Sequence, residues 1–509
     1  MRYATLLICL TTLPAAKATN WYVQSGQQLQ PIIDTALPGD TITLQAGATF
    51  TGNFILPEKT GSSWITIRSS MMSSLPPSGT RINPSYAPFM AKLMSLNTSP
   101  ALPALAAAAG AHNYRIIGLQ LASPPGVTNI NVVQLGTGKE TSIADLPSYI
   151  ILDRLYIHGD PVSGALRGVV INSRHTNIVN CYISDIKHLW ADSQAVEGWN
   201  GPGPFRIINN YLEASGENIM FGGAPTSIAN MVPTNIVIKN NHLFKPLSWK
   251  KDDPTYAGTP WVVKNSFELK NARDVTFEGN VVENCWPMAQ AGFAVQLTVR
   301  TEHGTMPWAV VQNVTLSDNV FRNVYAGMNI VGRDGTYGGT TRGITISNNL
   351  FESMPGWWLT LLSGWSSVLI DHNTVAGNGA IIIFDGVPGV GLTYRNNITP
   401  RGASGIFGSG KSEGTIGLAY YAPNAVVIRN IIAGANAGIY PAGNYFPPSL
   451  AAVGFVNMAA NDYELATSSP YVNLGTDGKN LGVDWAALQL ATANVVQSVA
   501  LGPWTAPGN

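Results

Sequence analysis

The chain has 509 residues, of which only 11% are charged, and its 29 basic residues balance its 29 acidic residues to a net charge of 0. This balance argues against bulk binding of nucleic acid, which needs a strongly basic face. Hydrophobic residues make up 45% of the chain, and that proportion argues against a disordered protein.

Residues 1–18 have the pattern of a secretory signal peptide. Arg2 precedes a short apolar run from Leu6 to Leu10, and Ala16-Lys17-Ala18 forms a small-residue cleavage site. The run is too short to cross a bilayer, and no later segment is long enough to do so. We therefore expect a secreted protein, periplasmic or extracellular, that begins near Thr19 and does not insert into a membrane.

The segment after the signal predicts a capped beginning of the domain. Leu29, Ile32, Ile33 and Ala36 recur at helical spacing, so a short amphipathic helix is expected near residues 27–36. A helix suits the end of a stack of strands because it covers unpaired backbone groups. Residues 71–112, which are rich in proline and alanine, predict an irregular excursion that carries a short helix.

A short phrase recurs ten times between about residues 113 and 435. Each copy reads as a strand, a turn rich in Asn, Asp and Gly, and a second strand, at intervals from 24 residues (Asn348 to His372) to 39 residues (Asn240 to Gly279). Such a repeat predicts a solenoid, and the lack of intervening helices favours a β-helix with one coil per repeat. The first turn positions are Asp153, Asn180, Asn209, Asn240, Gly279, Asp318, Asn348, His372, Asn396 and Asn430.

The last part of the chain predicts a second cap. Residues 466–509 combine turn residues with a helical segment that begins after Asp484, a suitable N-cap. The sequence thus predicts one all-β domain over residues 19–465, folded as a single-stranded parallel β-helix and closed at both ends. Closed ends favour a monomer.

The Asn-rich turns, together with the opening segment from Gly26 to Ile42, resemble the pectate-lyase-like superfamily. The resemblance covers most of the chain and implies a right-handed parallel β-helix. It does not imply one chemistry, because the superfamily includes lyases, hydrolases, isomerases, phage tailspikes and adhesins.

A narrower resemblance covers residues 264–304. The run from Phe267 to Asn280, followed by Gln296-Leu-Thr-Val-Arg300 and His303-Gly304, is similar to the catalytic stretch of the alginate lyase and chondroitinase B type of polysaccharide lyase. This resemblance implies that Lys270 is the base, that Arg300 is the acid-side partner and that His303 contacts substrate. The chain departs from the family in having only Glu268 in place of two closely spaced calcium-binding glutamates, and in having longer segments around Arg300.

The residues themselves also suggest binding of an acidic polysaccharide. If Phe267, Leu297 and Ile330 are in register, Lys270, Arg300 and Arg333 form a column of cations about 5 Å apart. Such a column requires anions, which Glu268, Glu302 and Asp334 or a uronic acid polymer would supply. In a β-elimination, Lys270 would remove the C5 proton, Arg300 would assist the leaving oxygen, and Arg333 would hold a neighbouring sugar.

Several polar residues allow more than one function. Asp192, Gln194, Glu217 and Asn218 precede the cation column by one or two coils. Asp192 and Glu217, with Glu268, could bind Ca²⁺ through oxygen, whereas Gln194, Asn218 and Glu268 could bind sugar hydroxyls. The same acids could instead be the paired carboxylates of a hydrolase. Trp261 could stack on a sugar ring.

Three functions therefore stay open: a lyase of uronic-acid glycans, which leads, a glycoside hydrolase, and a non-catalytic carbohydrate-binding or surface-structural protein. A nucleotide is not expected. Residues 405–412 match the phosphate-loop pattern G-x4-G-K-S, but the glycines and proline that follow oppose the helix that such a loop requires.

Overall fold

The computed structural model describes residues 18–96 and 102–496, and nearly all of the predicted signal peptide lies outside them, as do residues 497–509. The chain winds as a parallel β-helix in which each regular coil adds one strand to each of three sheets. The predicted all-β fold is therefore confirmed. None of the helices in these residues is long and apolar enough to cross a membrane.

The three sheets run along the length of the solenoid, and the second and third are joined by a pairing of Ala165 with Ile186. The first sheet contains Asn20–Val23, Thr41–Leu44, Ile65–Ser69, His112–Ile117, Ser148–Asp153, Arg174–Val179, Phe205–Ile208, Thr234–Lys239, Ala272–Glu278, Val310–Ser317, Thr340–Ser347, Ser366–Asp371, Val390–Arg395 and Val426–Ile428. The second sheet contains Thr49–Thr51, Ala91–Met94, Leu119–Ala122, Tyr156–His158, Tyr182–Ile186, Tyr211–Ala214, His242–Phe244, Val281–Cys285, Val320–Val324, Leu350–Met354, Thr374–Gly377, Ile398–Pro400 and Ile431–Ala433. The third sheet contains Phe54–Leu56, Leu105–Ala107, Asn129–Leu135, Ala165–Ile171, Gln194–Gly198, Glu217–Phe221, Phe267–Leu269, Phe293–Thr298, Ala326–Val331, Leu359–Leu362, Ile382–Asp385 and Ile406–Gly408.

The repeated Asn-rich turns form a ladder inside the solenoid. In one step, the backbone N–H and the Nδ2 of Asn280 donate to Asn319 Oδ1 at 2.8 and 3.1 Å. The preceding residue, Gly279, has a φ of 61°, a left-handed conformation that Gly, Asn and Asp tolerate. In the first repeat this position is Arg154 rather than Asp153, and in the last it is Arg429 rather than Asn430. The predicted turn position was therefore one residue early in the first repeat and one residue late in the last. The ladder asparagines are Asn210, Asn241, Asn280, Asn319, Asn349, Asn373, Asn397, Asn430 and Asn444.

A short helix, Gln30–Thr35, lies within the predicted capping segment and contacts the first strand of the third sheet. The side-chain amide of Gln30 donates to Ile55 O at 2.9 Å and accepts from Ile55 N at 2.8 Å. These bonds satisfy backbone groups on Phe54–Leu56, which lies at the end of its sheet. The helix therefore covers an edge that would otherwise expose unpaired donors and acceptors.

The excursion at residues 71–112 is more regular than the sequence predicted. It contains the short 3₁₀ helices Met72–Ser74 and Pro84–Phe89, and its alanine-rich end holds a strand, Leu105–Ala107, that the sequence did not predict. Leu105 and Ala107 face the core, so small residues continue the alternation of a buried strand.

The C-terminal part also departs from the expected boundary at residue 465. The last strand of the regular coils is Ile431–Ala433, and Phe455–Asn457 pairs antiparallel with Asp462–Leu465. The predicted helix is present as Trp485–Thr492, with the Asp484 side chain accepting from Ala487 N at 3.1 Å. Five 3₁₀ helices complete the described elements: Leu247–Trp249, Gly335–Tyr337, Ala437–Ile439, Leu450–Val453 and Met458–Ala460.

The segment after the phosphate-loop pattern contains a helix, Thr415–Tyr421, so the expectation that no helix would form there was wrong. The helix begins after Gly414, three residues beyond Lys411, and Lys411 Nζ lies 4.4 Å from the centre of the Tyr420 ring. The glycines allow the turn before this helix, which packs on the last strand of the third sheet.

Candidate active site

The outer face of the third sheet carries a row of polar side chains at equivalent positions. Pairing places Glu268 beside Gln296, Gln296 beside Asn329, and Asn329 beside Thr360. Asn329 Nδ2 donates to Gln296 Oε1 at 2.7 Å, and Thr360 Oγ1 donates to Asn329 Oδ1 at 2.5 Å. These amides and hydroxyls, spaced one per coil, form a surface suited to sugar hydroxyls.

Four acids gather at one end of this row, and we call Asp192, Glu197, Glu217 and Glu268 the carboxylate cluster. Glu217 is fully buried, and its Oε2 accepts from Gln194 Nε2 at 2.8 Å. Burial raises the pKa of Glu217, and the nearby charges of Glu268 and Asp192 raise it further. Burial and these charges together disfavour the ionised form of this carboxyl group, whereas the charge of Lys264 favours it.

Glu268 and Glu197 are held differently from Glu217. Glu268 Oε2 accepts from Asn265 Nδ2 at 3.0 Å, and its Oε1 accepts from Thr298 Oγ1 at 3.2 Å. Glu197 is ion-paired with Arg167. Burial raises the pKa of Glu197, although the charges of Arg167 and Lys270 oppose that shift. The cluster thus combines hydrogen-bonded and ion-paired carboxylates.

Two lysines bring positive charge to the cluster. Lys264 Nζ pairs with Asp192 Oδ2 and lies 3.9 Å from Glu217 Oε1. Burial opposes the charge of Lys264, but the bond to Asp192 and the charges of Glu217, Asp192 and Glu268 raise its pKa. Lys270 Nζ lies 3.9 Å from Glu268 Oε1, beyond hydrogen-bond distance, so its ammonium is not locked to that acid.

The predicted column of cations is out of register with the observed strands. Phe267 pairs with Val295, not with Leu297, whereas Leu297 pairs with Leu269 and Ile330. The expected alignment of Leu297 with Ile330 is confirmed. The alignment of Phe267 with Leu297 was wrong by two residues, a slip that keeps every side chain on the same face and is therefore invisible to a hydrophobic pattern.

Lys270 and Arg300 are nevertheless neighbours, because Arg300 N donates to Lys270 O at 2.9 Å. Arg300 Nη1 lies 3.4 Å from Asp334 Oδ1, and Asp334 Oδ2 also accepts from Thr301 N at 2.8 Å. Arg333 lies beside this acid and its side chain is exposed. The long contacts of Lys270 and Arg300 leave both cations able to bind a further anion.

Two consecutive glycines allow the chain to pass close to Lys270. Gly222 and Gly223 have φ values of 92° and 88°. A Cβ atom on Gly222 would lie 2.7 Å from Asn271 N and 3.0 Å from Lys270 Cβ. The close approach requires glycine at position 222 and holds the base of the Lys270 side chain against the preceding coil.

Three of the predicted substrate-binding residues occupy other environments. Asn218 is fully buried, and its Nδ2 donates to Leu212 O and Phe244 O, so its amide stabilises the coil interior. Gln194 is buried and bonds to Glu217. His303 is exposed on a separate loop, where it packs edge-on against Tyr337.

Trp261 packs in a small buried cluster beneath the excursion before Lys264, rather than standing free at the surface. Its neighbours there are Trp249, Val263 and Trp286, and Lys187 Nζ lies 5.2 Å from its ring centre. It also borders a cavity of about 520 Å³. Its buried position makes Trp261 a packing residue of that excursion.

The residues proposed as calcium ligands do not fit that ion in their present arrangement. Across residues 18–96 and 102–496, no three His, Cys, Asp or Glu side chains converge as ligands. The Lys264 ammonium contacts Asp192 and approaches Glu217, and the donor groups of Gln194 and Asn265 point at Glu217 and Glu268. A calcium site requires several oxygens that face one cation without such donors between them.

Sequence reasoning missed two lysines that shape the site, Lys264 and Lys245, and one exposed tryptophan close to it in the chain, Trp190. Lys264 belongs to no recognisable sequence motif. The sequence around Lys245 is that of an exposed loop lysine, although its side chain is fully buried. Lys245 Nζ donates to Ala214 O, Ser215 O and Gly216 O at 2.8, 3.2 and 2.5 Å, which fixes the turn that precedes Glu217. Trp190 is 87% exposed and lies two residues before Asp192 in the chain. Only this closeness in sequence to Asp192 could have suggested a role in substrate binding.

No protein-family model matches the chain, and no curated protein matches its sequence. Among solved structures, a PL6 family alginate lyase is similar with a TM-score of 0.53 at 14% identity, over 92% of this chain and 58% of that protein. A mannuronic acid specific polysaccharide family 6 lyase from human gut microbiota has a TM-score of 0.45 at 12% identity, over 84% of this chain and 82% of the other. At such identities the first similarity shows the fold alone, and the predicted parallel β-helix fold is confirmed.

Proposed function

We propose that the protein is a secreted lyase that cleaves uronic-acid-containing polysaccharides by β-elimination. The observation that carries this proposal is the pair Lys270 and Arg300, which lie on adjacent coils and are joined through Lys270 O and Arg300 N. Both cations retain exposure at the end of a polar row that runs along several coils. The alginate lyase with the same fold supports the proposal by similarity.

The reaction needs three contributions that these residues can supply. In its neutral amine form, Lys270 takes the C5 proton, and the C5–H electron pair becomes the new C4–C5 double bond. The C4–O bond breaks, and its electron pair leaves on the 4-linked oxygen, which Arg300 hydrogen-bonds while water supplies its proton. Positive charge beside the uronate carboxylate stabilises the charge that develops after proton removal.

The test is formation of unsaturated uronyl ends, followed by their ultraviolet absorbance. The mature protein is incubated with alginate, polygalacturonate, chondroitin, heparan and hyaluronan, beside Lys270→Met and the control Lys479→Met, whose lysine is exposed in the C-terminal segment. We expect activity on one polymer and a loss of at least about 100-fold in Lys270→Met, as for removal of a general base. Full activity in Lys270→Met would refute the assignment.

A glycoside hydrolase is the second candidate, and Glu217 is the residue that favours it. Burial raises the pKa of Glu217, so it can donate a proton at neutral pH, while Asp192 could act as the paired carboxylate. This activity would produce new reducing ends without ultraviolet absorbance, and Glu217→Gln would abolish it. The same assay therefore separates the two reactions, and silence in both would favour a carbohydrate-binding protein.

A further inference from the structure

Lys264 is fixed in the site by its own backbone. It follows the long excursion over residues 244–263 and lies three residues before Phe267, the first residue of its strand in the third sheet. Its N–H donates to Ser215 O at 3.1 Å, and its carbonyl accepts from Cys285 Sγ at 3.5 Å. Because the N–H and the carbonyl of Lys264 both bond to neighbouring coils, the position of its Cα and the origin of its side chain are fixed.

The Lys264 ammonium lies near a buried carboxyl oxygen, Glu217 Oε1, that has no hydrogen-bond partner. It pairs with Asp192 and is 3.9 Å from Glu217 Oε1, while its side chain is 17% exposed, so part of it is open to solvent. Within the described ranges, Glu217 Oε1, Gln194 Oε1 and Asn265 Oδ1 are buried and have no hydrogen-bond partner. An ammonium carries three protons, and the bond to Asp192 uses only one of them.

We propose, on the basis of the lyase function proposed above, that Lys264 is the resident cation of this active site. Its ammonium occupies the place among Asp192, Glu217 and Glu268 that a divalent metal would require. It neutralises the uronate carboxylate of the sugar that loses its proton, while Asp192 holds it in position. To bind here, a metal ion would have to displace Lys264 from Asp192 and would be repelled by the positive charge of the Lys264 ammonium. The enzyme therefore acts without a divalent cation.

The activity test compares metal removal with removal of the lysine. Wild-type protein dialysed against EDTA should cleave its polymer at the same rate with and without added Ca²⁺. Lys264→Met, which keeps the length of the side chain, should lose about 100-fold in kcat/KM, as for loss of one group that stabilises developing charge. Lys264→Arg should recover most of that loss, and Lys251→Met, an exposed lysine of the same excursion, should match wild type.

Two activity results would overturn the proposal: loss of wild-type activity in EDTA with recovery in Ca²⁺, or an active Lys264→Met. Melting curves of the variants establish that each one folds.

A binding measurement decides the cation question even if no polymer is cleaved. Calorimetric titration of wild-type protein with CaCl₂ should give no binding heat, and its Tm should be equal in Ca²⁺ and EDTA, because a bound ligand would raise it. Binding with a raised Tm would overturn the Lys264 proposal and leave the lyase reaction untouched. Absence of unsaturated products from every polymer would instead overturn the lyase function.

Discussion

Replacing Asn319 by alanine should destabilise the middle of the solenoid strongly. Asn319 Oδ1 accepts from the backbone N–H of Asn280 at 2.8 Å, and Asn319 Nδ2 donates to Phe277 O and Asn349 Oδ1, both at 2.9 Å. The variant leaves the fully buried N–H of Asn280 without an acceptor, which costs about 1–3 kcal/mol, and each other lost bond costs about 1 kcal/mol. Three other bonds are lost, because Asn319 Oδ1 also accepts from Asn280 Nδ2 at 3.1 Å. We expect a total loss of about 4–6 kcal/mol, a large part of a typical free energy of unfolding.

The measurement is urea denaturation followed by tryptophan fluorescence, with the free energy of unfolding taken from the midpoint and slope. Asn457→Ala is the matched control, because Asn457 is exposed in the C-terminal hairpin. We expect the control to change stability by less than about 0.5 kcal/mol, as for most surface substitutions. If Asn319→Ala also lost less than about 1 kcal/mol, the ladder would not stabilise the coils and the reasoning would be refuted.

Two further predictions concern substrate binding and pH. If Trp190 stacks on a sugar ring, Trp190→Ala should raise KM about tenfold with little change in kcat. The control Leu490→Ala, which removes an exposed side chain from the C-terminal helix, should leave KM unchanged. An unaltered KM in Trp190→Ala would exclude the stacking role. Burial raises the pKa of Glu213 to about 7, so its stabilising contribution is complete below its unfolded pKa and is lost as pH rises through about 7. The wild-type free energy of unfolding should therefore fall between about pH 5 and 8, and Glu213→Gln should remove roughly 2–3 kcal/mol of that fall; parallel pH profiles for the two proteins would contradict this.

The β-helix could be predicted because its turns impose a local chemical requirement on every coil. A residue such as Asn240 must adopt a positive φ, and the next residue, Asn241, must supply an amide that bonds to the neighbouring coil. Both requirements select Asn, Asp or Gly at fixed positions, so the repeat is visible in the sequence. The strand Leu105–Ala107 was missed because small residues can fill either a strand or a helix, and only its pairing with Phe54–Leu56 decides.

The candidate site was predictable only where its residues follow strands of the repeat. Lys270 and Arg300 were found in this way, although their alignment was wrong by two residues because Phe267 and Leu269 face the core equally well. Lys264 and Lys245 could not be found from spacing. Each depends on an irregular segment that folds back onto a neighbouring coil, and no local pattern specifies where such a segment ends.

The position of Lys264 also explains why an excursion of about twenty residues precedes the strand Phe267–Leu269. Most coils pass from the second sheet to the third in a few residues, as between Tyr211–Ala214 and Glu217–Phe221. In the coil of Lys264, a tryptophan cluster fills the longer path, and Val262 N donates to His188 O, which joins the excursion to the loop that carries Asp192. The excursion that precedes Lys264 and the loop that carries Asp192 therefore pack together, and this packing fixes both members of the ion pair. If the excursion serves to place this cation, shortening it should reduce catalysis more than it reduces stability.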